Sequence, residues 1–191
     1  GGSETRLLGR KKLVVELRDC PACRLKFRWP KPEPEALKSY YQQDYAREET
    51  TQTPSDAELE RLLATALAAL PDASFDIVFT SHVLEHLPDL KEPLRLFARL
   101  LKPGGLLLAF VPNADGVSAR ERGFDWGPLI DQDHVLALDA PFFAAHLGEY
   151  GFAPPRFSTD PYDGPFRSFE TPGAAKGALP GDELCLAAER A

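Results

Sequence analysis

The 191-residue chain has no methionine and only three cysteines. Because even an initiator methionine is absent, we interpret the chain as processed or trimmed. Three cysteines are too few for the disulfide framework of a secreted domain, so we expect a reducing, cytoplasmic environment. Its longest apolar runs, such as residues 106–111, are far shorter than the roughly 18 residues of a membrane span. No signal peptide is visible, and we predict no membrane partner.

Basic charge is also scarce, with 22 Lys and Arg against 29 Asp and Glu and a net charge of −7. This balance repels a nucleic-acid backbone, and the two short basic stretches, 10–12 and 18–28, are too brief for a binding surface. We therefore predict no nucleic-acid partner. The 43% hydrophobic content is typical of a globular protein, and it specifies no oligomeric state.

The pattern along the chain predicts two units. Residues 1–34 read as a β-rich subdomain, with strands over 13–17 and 25–29 on either side of a Cys20-Pro21-Ala22-Cys23 turn. A proline-rich break at 31–34 separates it from an α/β domain over 35–191.

The centre of the second unit predicts one βαβ unit. Apolar strands over 75–80 and 106–111 are joined by an amphipathic helix over 90–101, which ends at Lys102-Pro103-Gly104-Gly105. Such apolar strands predict a sheet that is covered on both faces. Spacing elsewhere predicts helices over 35–45, from Ser55 or Asp56 to Leu70, and over 141–151. Two more strands are predicted over 155–159 and 184–188, the last antiparallel.

The stretch from Phe75 to Asp89, with residues 100–105 (LLKPGG) and 111–113 (VPN), resembles the second half of a class I S-adenosylmethionine-dependent methyltransferase. The resemblance implies a Rossmann-like sheet and methyl transfer from S-adenosylmethionine to a small-molecule substrate. It also implies that the end of the first strand faces the methionine moiety of the cofactor. The cofactor-binding residues would then be Thr80, Ser81, His82 and Val83.

The N-terminal unit extends this resemblance. Cys20, Cys23 and the aromatic and proline residues after them are similar to the cysteine-rich lead-in of a methyltransferase subgroup that acts on sugars or natural-product intermediates. A nucleotide-linked sugar is therefore one acceptor that the resemblance implies, and zinc is a second cofactor, with Cys20 and Cys23 as metal ligands. A structural zinc site needs four ligands, so the pair supplies half a site. We interpret the other pair as cut off; the alternative is two reduced cysteines in a turn.

The chain departs from the family at its first motif, a glycine-rich turn that approaches the cofactor. The 28 residues between Tyr45 and Ser74 contain no glycine and are too few for two further βαβ units. The methyltransferase sheet is thus apparently incomplete. We interpret this as a missing segment. If the chain is instead naturally short, the alternative function is a non-catalytic, methyltransferase-like scaffold or binding module that lacks the cofactor floor.

Methyl transfer is an in-line displacement, so the protein positions the acceptor and removes its proton. Histidine is the natural base near neutral pH, and His86 and His134 are the catalytic candidates. The alternatives are a packing or capping role for His86 beside Glu85, and a surface-loop role for His134. His146 lies in an apolar helical stripe and is interpreted as structural.

Residues 82–86 also fit H-x-x-E-H, the pattern of an inverted zinc peptidase. That chemistry needs both histidines on one face of a long helix. Because the motif follows a buried strand and Pro88 comes two residues later, this interpretation is disfavoured.

Overall fold

The computed structural model describes residues 5–11, 15–33, 66–129, 134–159 and 179–191. Within these ranges the chain forms eight strands, three α-helices and a helical stretch at residues 66–69, which confirms the α/β prediction. The strands are β1 (Arg6–Lys11), β2 (Val15–Asp19), β3 (Lys26–Trp29), β4 (Phe75–Ser81), β5 (Leu101–Pro112), β6 (Leu136–Ala137), β7 (Arg156–Thr159) and β8 (Glu183–Glu189). The helices are α1 (Lys91–Leu100), α2 (Val117–Arg122) and α3 (Ala140–His146). Short 3₁₀ turns are η1 (Leu84–His86), η2 (Gly123–Asp125), η3 (Gly127–Leu129) and η4 (Leu147–Tyr150).

The larger sheet has the order β4-β5-β8-β7. β4 and β5 are parallel and α1 connects them, so the predicted βαβ unit is present. β8 runs antiparallel to both β5 and β7, as predicted for the last strand. The carboxyl end of β4, the carboxyl end of β5 and the start of β8 therefore lie at the same edge of this sheet.

β5 begins earlier than predicted, at Leu101 rather than at Leu106. The segment 102–105 belongs to the strand because Phe75 pairs with Leu101 and the register then shifts before Ile77 pairs with Leu106. Glycine is required within this irregularity: Gly104 has a φ of +76°, and a Cβ at Gly105 would lie 2.8 Å from the backbone oxygen of Lys102.

The main hydrophobic core lies against β5 and β8, whose central side chains are buried. The prediction of a sheet covered on both faces is wrong for β4. Alternate side chains of this strand are open to solvent, with Ile77 57% and Phe79 63% exposed, while Thr80 is buried. The reason is positional: within the described residues β4 has one strand neighbour, and only its other face packs towards the core.

The smaller sheet has the order β1-β2-β3-β6. Its fourth strand comes from the second half of the chain, since Phe27 pairs with Leu136 and Lys26 with Ala137. Lys26 also binds Asp139 through Nζ and Oδ2 at 2.6 Å, with both side chains largely buried. The N-terminal strands are thus bonded directly to residues just before α3.

Several elements differ from the sequence predictions. β1, β6 and α2 were not predicted, because β1 is rich in charge, β6 has two residues and α2 has no apolar stripe. Of the helix predicted up to Leu70, the described residues 66–69 are helical. The helix predicted over 35–45 lies outside the described residues, and the domain boundary at residue 34 stays a prediction.

Candidate active site

The turn that follows β4 is held in one conformation. His82 has a φ of +51°, in the left-handed region that few non-glycine residues adopt. Its backbone N–H donates to the carbonyl of Phe110 at the end of β5, at 3.0 Å. Two residues later Leu84 is fully buried and anchors η1 in the core. A strained backbone that is fixed on both sides is a feature of functional sites.

Glu85 lies at the centre of this turn and is 2% exposed. Neither of its carboxylate oxygens accepts a hydrogen bond. Two imidazoles lie around Oε1, with Nδ1 of His82 at 3.3 Å and Nε2 of His86 at 3.8 Å. A buried carboxylate without hydrogen bonds costs folding free energy unless a positive charge compensates it.

The rings of His86 and His134 meet edge to face, with centroids 4.6 Å apart. The segment that carries His134 is fixed beside η1, because the N–H of Val135 donates to the carbonyl of Glu85 at 2.8 Å. Nδ1 of His134 lies 2.8 Å from the carbonyl oxygen of Pro128. A carbonyl can only accept, so Nδ1 carries the proton, and in the neutral ring Nε2 keeps a lone pair.

Glu183, the first residue of β8, completes the cluster on its other side. Its Oε1 lies 3.1 Å from Nε2 of His82, so His82 lies between the carboxylates of Glu85 and Glu183. This residue was missed by the sequence analysis. Its position follows from the pairing of Pro112 with Glu183, which no local pattern reveals.

The four predicted cofactor-binding residues lie in order at the end of β4. Thr80 is buried and its hydroxyl has no hydrogen-bond partner, Ser81 is half-buried, and Val83 is 46% exposed. They thus offer both polar and apolar surface at the sheet edge. Their contact with a cofactor stays a prediction.

The two predicted metal-ligating cysteines lie in the turn between β2 and β3 and are not part of the group formed by Glu85, His86 and His134. The turn is closed by hydrogen bonds from the N–H of Cys20 to the carbonyl of Leu25 and from the N–H of Arg24 to the carbonyl of Cys20. Burial raises the pKa of the Cys23 thiol. No third or fourth ligand joins the pair among the described residues, so this turn does not fit a four-ligand zinc site.

His146 reaches the cysteine turn, yet it binds the backbone. Its Nε2 lies 2.6 Å from the carbonyl oxygen of Cys23, and its Nδ1 lies 2.8 Å from Oε1 of Glu149. It therefore connects α3 to the β2–β3 turn, in agreement with the structural role expected from the sequence.

The geometry also opposes the zinc-peptidase interpretation. The motif residues span a three-residue 3₁₀ turn and the bend before it, so His82 and His86 do not share one face of a long helix. Moreover, the group of potential metal ligands that lie within 4.8 Å of one another contains Glu85, His86 and His134, without His82.

In the part of the chain that is described, no helix has the length and apolar character needed to cross a membrane.

Comparison with known proteins adds to this geometry. Residues 36–109 match the family described as "Methyltransferase domain". The 27-O-demethylrifamycin SV methyltransferase of Amycolatopsis mediterranei is 39% identical over 89 residues, which cover 44% of this chain and 31% of that protein. The ubiquinone biosynthesis O-methyltransferase of Ralstonia nicotianae is 48% identical over 46 residues, covering 24% of this chain and 19% of the relative. The chain thus spans about a third or less of the curated relatives that it matches.

Among solved structures, a SAM-dependent methyltransferase from Thermotoga maritima, described as a possible histamine N-methyltransferase, has a TM-score of 0.50 and 16% identity. The match covers 72% of this chain and 71% of the Thermotoga chain. At that identity the likeness concerns the fold alone, and it agrees with the Rossmann-like sheet expected from the sequence. Residues 36–109 are thus similar to a methyltransferase domain, and the chain shares its fold with a solved SAM-dependent methyltransferase.

Proposed function

We propose that this chain takes part in methyl transfer from S-adenosylmethionine to a hydroxyl oxygen of a small-molecule acceptor. The pair of His86 and His134, held at the carboxyl end of β4 beside the buried Glu85, is the observation that carries the proposal. The two curated relatives named above, a rifamycin and a ubiquinone methyltransferase, support an acceptor from natural-product or quinone-like chemistry. The nucleotide-linked sugar that the N-terminal turn suggested stays a second acceptor class.

The reaction needs a base. As the acceptor oxygen bonds to the methyl carbon, the bond from carbon to the sulfonium sulfur breaks, and the sulfur leaves as a neutral thioether. The hydroxyl proton must leave the acceptor as well. In this proposal it passes to Nε2 of His134, whose Nδ1 proton is held by the carbonyl of Pro128. His86, in ring contact with His134, lines the same space.

Thr80, Ser81, His82 and Val83 are the proposed contacts for the methionine part of the cofactor. The buried Thr80 hydroxyl, which has no protein partner, supports this role because a polar ligand atom would satisfy it. The alternative, a scaffold without cofactor, is favoured by the absence of a glycine-rich turn between Tyr45 and Ser74.

Binding and turnover separate these functions. We expect isothermal titration calorimetry to detect S-adenosylhomocysteine bound to this chain, and labelled methyl groups to pass from S-adenosylmethionine to members of a panel of phenols and sugar alcohols. The variant His134→Ala should lower kcat by about 10²–10⁴-fold, the usual contribution of a general base. Its affinity for S-adenosylhomocysteine should not change, because His134 lies on a segment separate from the end of β4.

His146→Ala is the matched control, since it removes a histidine outside the cluster. It should leave kcat unchanged at a temperature at which both variants are folded. Unaltered turnover in His134→Ala would remove this residue as the base. A chain that is folded and binds no S-adenosylhomocysteine would favour the scaffold.

A further inference from the structure

Glu85, His86 and His134 together offer three metal-ligand atoms that all lie within 4.8 Å of one another. Glu85 and His86 belong to η1, whereas His134 comes from the segment before β6, so the fold brings this group together. Among the described residues, it is the one group of three or more such side chains that could share an ion. The histidines are partly buried and Glu85 is buried, unlike a surface cluster of acidic residues.

The buried carboxylate gives an independent reason to expect a cation. Both oxygens of Glu85 lack a hydrogen bond although the side chain is 98% buried, the complement of its 2% exposure. Nδ1 of His82, at 3.3 Å, is the nearest positive group if that ring is protonated, but it also faces Glu183. The single positive charge of His82 would then face two negative charges, those of Glu85 and Glu183. A divalent cation at Glu85 would balance the charge of the cluster.

His134 already has the orientation of a metal ligand. Histidines that bind metals usually donate the N–H of their other ring nitrogen to a carbonyl or carboxylate, which fixes the tautomer. Here Nδ1 donates to the carbonyl of Pro128, and Nε2 keeps the lone pair that a metal requires. The hydrogen bond from Val135 to the carbonyl of Glu85 holds the two ligand-bearing segments in register.

We propose that Glu85, His86 and His134 bind a divalent transition-metal ion, with Zn²⁺ as the ion that this donor set fits best. Two imidazole nitrogens and one carboxylate oxygen are the protein ligands of many catalytic zinc sites, which keep a fourth position for water or substrate. The inference does not depend on methyl transfer, because a zinc ion bound here would be measurable in a chain without any activity. Because a metal ion would take the Nε2 lone pair of His134, a metal ligand and a general base are alternative roles for this residue, and the variants below distinguish them.

Metal content and Co²⁺ spectroscopy test the site directly. After dialysis against a chelator, the chain is titrated with Co²⁺, whose visible absorption bands report nitrogen and oxygen ligation, and Zn²⁺ is then added in competition. We expect one Co²⁺ per chain and its displacement by Zn²⁺. Glu85→Gln and His134→Ala should each weaken binding by more than the roughly 10–100-fold that loss of an outer-shell partner causes.

Two controls remove the other potential ligands. His146→Ala and the double variant Cys20→Ser, Cys23→Ser should bind Co²⁺ as the parent chain does, and far-UV circular dichroism verifies that each variant is folded. The proposal fails if the parent chain binds no Co²⁺, if folded Glu85→Gln and His134→Ala bind it with unchanged affinity, or if only the cysteine variant loses it. In His134→Ala, a loss of methyl transfer with unchanged Co²⁺ affinity would support the proposed base and overturn the metal site.

Discussion

At the scale of single residues, Cys185 differs sharply from the other two cysteines. It is fully buried in β8, whereas Cys20 and Cys23 are partly exposed in their turn. Burial, with a smaller contribution from the negative charge of Glu183, raises the pKa of the Cys185 thiol to about 12. A neutral, inaccessible thiol is a poor nucleophile.

Alkylation should therefore distinguish the three thiols. We expect iodoacetamide at pH 8 to modify Cys20 and Cys23 in the native chain, and Cys185 only after denaturation, with the number of adducts read by intact mass. Modification of three thiols in the folded chain would contradict the buried position of Cys185.

The burial of Cys185 also makes the free energy of unfolding fall as pH rises from the ordinary thiol pKa of 9.0 towards about 12. In that range the unfolded thiol loses its proton and the folded one keeps it.

Individual residues also show which parts of the candidate site the sequence reveals. His86 and His134 were selected for their chemistry, and the structure brings their rings to 4.6 Å. Glu85 entered only as a neighbour of His86, although its burial makes it the centre of the cluster. Glu183 could not be foreseen, because its place beside His82 depends on the pairing of β8 with β5.

At the scale of elements, the start of α3 depends on one side chain with two roles. Oδ1 of Asp139 accepts the backbone N–H of Phe142 at 2.9 Å and so caps the helix. Oδ2 binds Nζ of Lys26 at 2.6 Å, with both side chains at least four-fifths buried. One carboxylate thus fixes α3 and binds it to β3.

Asp139→Ala should destabilise the chain by about 3–5 kcal/mol, because it removes the cap and leaves a buried ammonium without its partner. Asp139→Asn should cost less, since its amide oxygen can still cap the helix. Urea denaturation measures both. The control is Glu92→Ala, which breaks an exposed ion pair with Arg95 and should cost no more than about 1 kcal/mol. An equal loss in Asp139→Ala and Glu92→Ala would contradict the double role.

For the strand predicted over 75–80, the apolar pattern gave the right element and the wrong burial. The predicted strand over 75–80 was found because its residues are consistently apolar, yet that same pattern suggested two covered faces, and Phe79 is mostly exposed. Hydropathy reports which residues prefer burial, whereas the number of neighbouring strands decides whether they obtain it.

At the scale of the whole molecule, the N-terminal strands are joined to the later part of the chain by more than a linker. β3 pairs with β6, and Trp126 lies in a second buried cluster that also contains Leu17 of β2 and Ala137 of β6. The ion pair between Lys26 and Asp139 crosses the same boundary. We therefore expect the N-terminal strands and the larger sheet to unfold together, although the composition suggested a boundary at residue 34.

The two tryptophans of the chain report this cooperativity. Trp29 lies on β3 and is 46% exposed, and Trp126 is buried. In the variant Trp126→Phe, the remaining fluorescence reports the N-terminal sheet, and in Trp29→Phe it reports the second cluster. Within each variant, fluorescence and far-UV circular dichroism should give the same urea midpoint. A Trp29 transition at clearly lower urea would mean that residues 1–34 unfold as a separate unit.

The strand order of the larger sheet has a consequence for how the chain folds during synthesis. β8, built from residues 183–189, lies between β5 and β7 and supplies the pairing partner for both. Until β8 is made, β5 and β7 expose the backbone groups that pair with β8 in the folded chain. Pairings so distant in sequence form slowly, and unpaired strand edges attract other chains. Synthesis of β8 therefore ends a period in which the nascent chain is vulnerable to aggregation.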